Sequence, residues 1–408
     1  MRISTILVTA ALAVLGGMQA KAQMSAYDYN RPVGWATVDG TVTGSNDANS
    51  VTVTTRSELS SALSGTAART IYISGEIEFT GVLSRSGVRN KTIYGLPGSA
   101  LVNSTHSTTK SRSGILRLSN CDNIIIRNVT FRASGAYDMD GNDNLELQGC
   151  TNVWVDHCDF QDGVDGNFDC NTGSDNIAVT WCRFRYLIEP WAGGSGGSDD
   201  HRYSDLWGGS DSETESKGKL NTTFYACWWD EGCRERMPRV RFGKVHILNC
   251  LYTCEGNNYC VGGGYLSNVY IDRSAFIDVK NPWKNYADKS GYKDYNVTAE
   301  GNIGYSDRQA KSGSNEYFIP TDYYTLDGMP VDLVESEVSR YAGATLAVVE
   351  GGGVTSGING VEASGAETLS TEYYSASGMR LNGPQKGLNI VRQRMSDGTV
   401  KTVKVIVD

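Results

Sequence analysis

The sequence has only four histidines in 408 residues and no pair of CxxC motifs, so the nitrogen and sulfur ligands expected of a zinc site are scarce. After the first 22 residues no stretch approaches the roughly 18 continuous apolar residues of a membrane span. Basic residues are outnumbered, 37 against 46 acidic, for a net charge of −9, and no recognised nucleic-acid motif occurs. Nucleic acid is therefore disfavoured as a partner.

What is present begins with a processing signal. MRIS, the apolar run TILVTAALAVLGGM and the small-residue end AKAQ form a secretory signal peptide over residues 1–22, with the mature chain starting at Gln23. The expected product is a soluble protein, secreted or held at the cell surface. Forty-seven glycines and 39% hydrophobic residues describe a globular chain with many turns and a sizeable core. Ten cysteines are available for pairing after export.

One pattern recurs: NIIIRNVTF from Asn123, NVWVDHCDF from Asn152, NIAVTWCRF from Asn176, NTTFYACWW from Asn221, KVHILNCLY from Lys244 and NVYIDRSAF from Asn268. Successive spacings of 29, 24, 45, 23 and 24 residues indicate a solenoid of strands. The leucine and asparagine framework of leucine-rich repeats is missing, as is a helical pattern between the strands. An all-β, right-handed parallel β-helix fits better. Stacking at about 4.8 Å per rung would align Cys158, Cys182, Cys227 and Cys250 in one column. These read as small buried apolar side chains, with disulfides between rungs as the alternative.

The long interval between Asn176 and Asn221 holds GGSGGSDDHRYSDLWGGSDS, a polar loop leaving the stack, where function tends to reside. SELSSAL from Ser57 is the best early helix candidate, capped by serine and able to cover the first rung. The solenoid is assigned to residues 23–349, a Gly/Ser-rich linker to 350–366, and a small β-module to 367–408.

Arg234, Arg236, Arg239, Arg241 and Lys244 crowd into RERMPRVRFGK, within an acidic chain. Permanently charged guanidinium groups at that density require anions. Three aspartates offer the opposite charge: Asp143 in DGNDNLEL, and Asp165 and Asp169 in VDGNFDCNTGSDN. Taken alone, aspartate beside glycine or asparagine is ordinary turn chemistry. If rung stacking brings the three together, an oxygen-only set suits calcium rather than zinc.

NVWVDHCDF, the D-x3-D of Asp165 and Asp169, SKGKL from Ser216 and RMPRVRFGKVH together resemble the pectate lyase superfamily, specifically polysaccharide lyase family 1. The resemblance runs from GWATVDGTVTGS at Gly34 through the strand at Asn268, and toward residue 330. It implies a calcium-dependent lyase that cuts polygalacturonate by β-elimination to 4,5-unsaturated products. Carried over by position, Asp143, Asp165 and Asp169 hold calcium, Arg236 is the catalytic base and Arg241 binds substrate. The family's further substrate-binding lysine is absent, and Arg202 in DDHR is the best match for it. The tail GLNIVRQRMSDGTVKTVKVIVD resembles the C-terminal sorting modules of secreted Bacteroidetes proteins.

The chemistry explains the charges. The proton removed lies alpha to an ionised carboxylate, which poorly stabilises the carbanion-like charge formed beside it, so a cation is needed there. An arginine base conflicts with a reference pKa of about 13, and crowding by other cations would shift it in the required direction. Asp156 and His157 read as structural hydrogen bonders within a strand motif. Arg234 and Arg239 read as paired to acids or facing away. A pectin lyase acting without calcium, a polygalacturonase and a non-catalytic pectin-binding β-helix are the competing readings. The protein is expected to act as a monomer on pectic polysaccharide, with no nucleic acid or membrane partner.

Overall fold

The computed structural model describes residues 24–46, 49–286, 294–313 and 316–346, together with 368–375, 380–381, 383, 385, 387–395 and 400–407. The expected signal peptide and the expected linker lie outside the described residues. Strands stack into three sheets of eleven, eight and eight strands, and a separate antiparallel sheet of four strands lies after residue 367. All pairings within the three large sheets are parallel except the last, between Tyr295–Glu300 and Arg308–Ser312. This is a right-handed parallel β-helix.

Each recurring motif makes two strands and a corner. NVWVDHCDF supplies Thr151–Asp156 in the long sheet, turns at His157, and continues as Asp159–Gln161 in the next. His157 has φ 45°, a left-handed corner conformation. The opening asparagines Asn123, Asn152 and Asn176 lie at φ 57°, 56° and 55°, a conformation that asparagine tolerates better than most residues. The long sheet extends beyond the recognised motifs, with Ser50–Val53, Arg69–Ile73 and Arg89–Gly95 before them and Tyr295–Glu300 after.

Side chains stack rung on rung inside the coil. Phe131, Phe160, Phe184 and Trp229 form a nearly parallel pile at ring spacings of 4.9, 5.0 and 5.2 Å. Cys158, Cys182, Cys227 and Cys250 occupy equivalent corners and are fully buried, and all ten cysteines are free thiols. Asp156, on the outer face of the long sheet, is buried as well, and it accepts from Arg127 at 2.7 Å and Thr180 at 2.6 Å and lies 2.9 Å from His157 Nδ1. That pair is scaffold.

A helix, Arg56–Ala62, closes the first rung with Leu59 and Ala62. Its cap is Thr55, two residues before the expected Ser57, and Glu58 returns the bond and completes a capping box.

The segment before this helix runs across the long sheet as a strap. Trp35 N–H donates to Thr223 at 3.1 Å, Asn176 donates to Asp39 at 2.9 Å, Gly44 N–H donates to Asn123 at 2.9 Å, and Ser45 N–H donates to Thr92 at 3.0 Å. Gly34 and Gly44, at φ 58° and 57°, make the approach feasible, because added β-carbons would lie 2.1 Å from Thr223 and 2.4 Å from Thr92. Among the described residues no helix is long and apolar enough to cross a membrane.

Candidate functional site

One of the eight-stranded sheets carries the candidate chemistry on its outer face. Alternation turns Leu145 and Leu147 inward and Glu146 outward, and likewise Phe168 and Cys170 inward and Asp169 outward. Register then sets Arg117, Glu146 and Asp169 side by side. Leu206, Arg239, Gly262 and Lys284 continue the same row, because Cys170 pairs with Trp207.

Above Asp169 a cavity of about 600 Å³ opens, with Asp143, Asp165, Asp169, His201 and Arg236 in its lining. The structure therefore gathers Asp143, the pair Asp165 and Asp169, and Arg236, which come from three turns of the coil. Gly166 makes their proximity feasible: a β-carbon there would lie 2.8 Å from Asp143 Oδ1 and 3.1 Å from Asp169 Oδ1.

These acids repel one another in a buried place. Burial, then Asp169 and Asp165, push the Asp143 carboxyl well above the ordinary aspartate range. Asp169 is pushed up to about 8 by burial, partly offset by Arg236 and reinforced by Asp165. Asp143 Oδ1 is buried without a hydrogen-bond partner, whereas Asp169 Oδ1 accepts the Leu206 N–H at 2.9 Å. Among the described residues no three ligating side chains close a metal site by themselves. An unsatisfied oxygen and mutually repelling carboxylates nevertheless suit an oxygen-seeking cation that draws further ligands from water or substrate.

Arg236 faces the acids from a backbone position with φ 58° and is held by Asp205 N–H donating to its carbonyl at 2.7 Å. Its Nε is buried without a partner. Burial pulls the guanidinium pKa down, but Tyr259, Asp169 and Asp165 outweigh this and raise it. The direction is opposite to that expected from crowding by cations, because the negative neighbours Tyr259, Asp169 and Asp165 outweigh burial.

Arg202 is not brought to the cavity. It makes a two-pronged bond to Asp200 at 2.7 Å on each arm, and Asp200 also lies 3.3 Å from Arg234. The neighbouring His201 lines the cavity instead, with Nε2 3.4 Å from Asp165 and Nδ1 3.2 Å from Asp138. Sequence reading missed it because adjacent residues in an irregular loop gave no indication of which side chain turned inward. Arg241 projects from the same sheet and donates to Asp211 and to the Gly208 carbonyl, each at 2.6 Å. It is anchored beside the cavity rather than lining it. Arg234 has an acidic neighbour as anticipated, whereas Arg239 faces outward with none among the described residues.

A family model described as Pectate lyase matches residues 4–346. A probable pectate lyase B from Aspergillus terreus is 29% identical over 369 residues, covering 85% of this chain and 98% of the relative. A pectate trisaccharide-lyase from Thermotoga maritima is 30% identical over 266 residues, covering 62% of this chain and 64% of that protein. Among solved structures, a pectate lyase bound to hexasaccharide superposes with a TM-score of 0.58 at 21% identity, covering 81% of this chain and all of the other. The last likeness concerns the fold.

Proposed function

Because the chain belongs to the pectate lyase family and is a polysaccharide lyase, we propose that it is an exported, calcium-dependent enzyme cleaving (1→4)-α-D-galacturonan by β-elimination. The observation that carries this reading is the cluster of buried Asp143 with half-buried Asp165 and Asp169 in one cavity with Arg236, whose Nε has no partner.

In this reading Asp143, Asp165 and Asp169 hold calcium, which supplies positive charge to neutralise the sugar carboxylate as negative charge develops beside it. Arg236 takes the C5 proton in its neutral form. The electron pair left at C5 forms the C4–C5 double bond, the bond from C4 to the linking oxygen breaks, and that oxygen takes a proton from water. The products are a 4,5-unsaturated end and a free hydroxyl on the departing chain.

Two of the acids that raise the Arg236 pKa, Asp169 and Asp165, are also assigned to the cation. Once they are engaged, burial is the main remaining influence, and it favours the neutral guanidine. Arg241 is assigned to a substrate carboxylate, held in position by Asp211. Arg202 is not carried into the proposal, since Asp200 occupies its guanidinium.

Residues 1–22 are assigned to export, 23–349 to the lyase, 350–366 to a linker and 367–408 to a sorting module. Truncation at about residue 350 should alter location and spare turnover, and loss of turnover would contradict this division.

The function is tested by incubating the protein with polygalacturonate, with and without a calcium chelator, and following ultraviolet absorbance of the unsaturated product. Absorbance that rises only with calcium is expected. New reducing ends without absorbance would indicate hydrolysis and overturn the proposal.

A further inference from the structure

The outer row of the site sheet does not stop at the cavity. Beyond Leu206 it continues through Arg239, Gly262 and Lys284 in direct register. Neighbouring strands lie about 4.8 Å apart, so Lys284 is roughly 19 Å from Asp169 and roughly 10 Å from Arg239. The central position has no side chain. A β-carbon on Gly262 would meet Tyr259 at 2.9 Å and the Arg239 stem at 3.2 Å.

Both cations lie over one aromatic ring. The Arg239 guanidinium carbon is 4.2 Å and Lys284 Nζ 4.9 Å from the centre of Tyr286, and Lys284 is also 5.7 Å from that of Tyr259. Arg234, Arg241 and Arg273 each lie beside an aspartate. Arg239 and Lys284 have no ion-pair partner among the described residues, and Arg239 Nε is buried without a hydrogen-bond acceptor. Burial and the nearby charges of Arg241 and Arg236 hold the Arg239 guanidinium below its ordinary pKa. Glu235 lies at the hydroxyl of Tyr286, 3.3 Å away, and also accepts from Asn258. Aromatic faces orient these two cations without neutralising them.

We propose that Arg239 and Lys284, presented over Tyr286, form an outer subsite for carboxylates of the same polygalacturonate chain, and that its Lys284 end, four strands from Asp169, is reached only by substrates several sugars long. The inference rests on the galacturonan reading above. A uronate polymer crossing the rungs would present one charged sugar for roughly each strand it passes. The row would then bind chain length without taking part in bond cleavage.

The test compares steady-state kinetics on trigalacturonate and on polygalacturonate for wild type, Lys284→Ala and Lys284→Arg. Lys284→Ala should raise KM on the polymer by roughly tenfold and change kcat less than twofold, as expected for loss of a charged binding contact. Its effect on trigalacturonate should be several times smaller, and Lys284→Arg should recover most of the loss. An equal rise in KM on both substrates, or no rise on the polymer, overturns the subsite. Wild-type protein that forms no unsaturated product from either substrate overturns the galacturonan reading and the subsite with it.

Discussion

The guanidinium carbon of Arg236 lies 4.9 Å from the centre of the Tyr203 ring, and the same ring packs against His201 at 4.2 Å. One aromatic side chain thus touches both the proposed base and the histidine beside Asp165. Arg236→Ala and Arg236→Lys should lower kcat by roughly 10³-fold, in the range of lost proton-transfer catalysis. Melting temperatures should stay within a few degrees of wild type, since neither change opens the coil. Activity within tenfold of wild type would remove Arg236 from this role.

The repelling acids predict a pH dependence. An unfolded aspartate titrates near 4, whereas Asp169 in the folded protein is pushed up to about 8. The folded state therefore binds more protons between these values, and this group's contribution to stability falls as pH rises through that window. Calcium competes for the same oxygens and should raise the melting temperature more at about pH 9 than at about pH 5. Asp169→Asn should flatten the metal-free slope. Equal calcium shifts at both pH values would show that these carboxylates do not hold the ion.

Asp156 calls for a different measurement. Burial alone would raise its pKa, but His157 and Arg127 hold it below the ordinary range, so it remains charged although buried against the long sheet. Asp156→Asn leaves Arg127 buried against a neutral group and should cost about 3–5 kcal/mol in chemical denaturation. Turnover per folded molecule should persist. A stable variant that has lost activity would instead place Asp156 in the chemistry.

The thiols predict a chemical silence. The column from Cys158 to Cys250 is fully buried, and burial pushes the Cys158, Cys182 and Cys227 thiols well above their ordinary pKa. Native protein should react negligibly with an aromatic disulfide reagent, while denatured protein should release ten equivalents. Reductant should leave the melting curve unchanged. Fewer than ten thiols in denaturant would reveal a disulfide.

The solenoid was legible wherever a motif carried both strands and the corner between them. NVWVDHCDF shows its turn through Asp156 and His157 and its second strand through Phe160. Arg89–Gly95 escaped notice because a Leu96-Pro97-Gly98 turn follows it instead of a polar corner and an aromatic. The three aspartates and Arg236 were legible through family motifs, since isolated aspartates beside glycine carry little information. Arg202 was singled out and His201 passed over because charge is written in the sequence and side-chain direction in a loop is not. Lys284 was invisible for another reason: its relation to Arg239 exists only through register across two rungs.

The strap of Trp35 to Ser45 gives the coil a temporal order. Trp35 bonds to Thr223, 188 residues later in the chain, so the leading part of the polypeptide is made long before the surface it needs. It must wait, unpaired, while the rungs accumulate behind it. When it finally lies down, it joins strands that otherwise touch only their nearest neighbours. A stack that could fray one coil at a time from its ends is thereby sewn across its width, and a segment made before any of the rungs becomes its closing stitch.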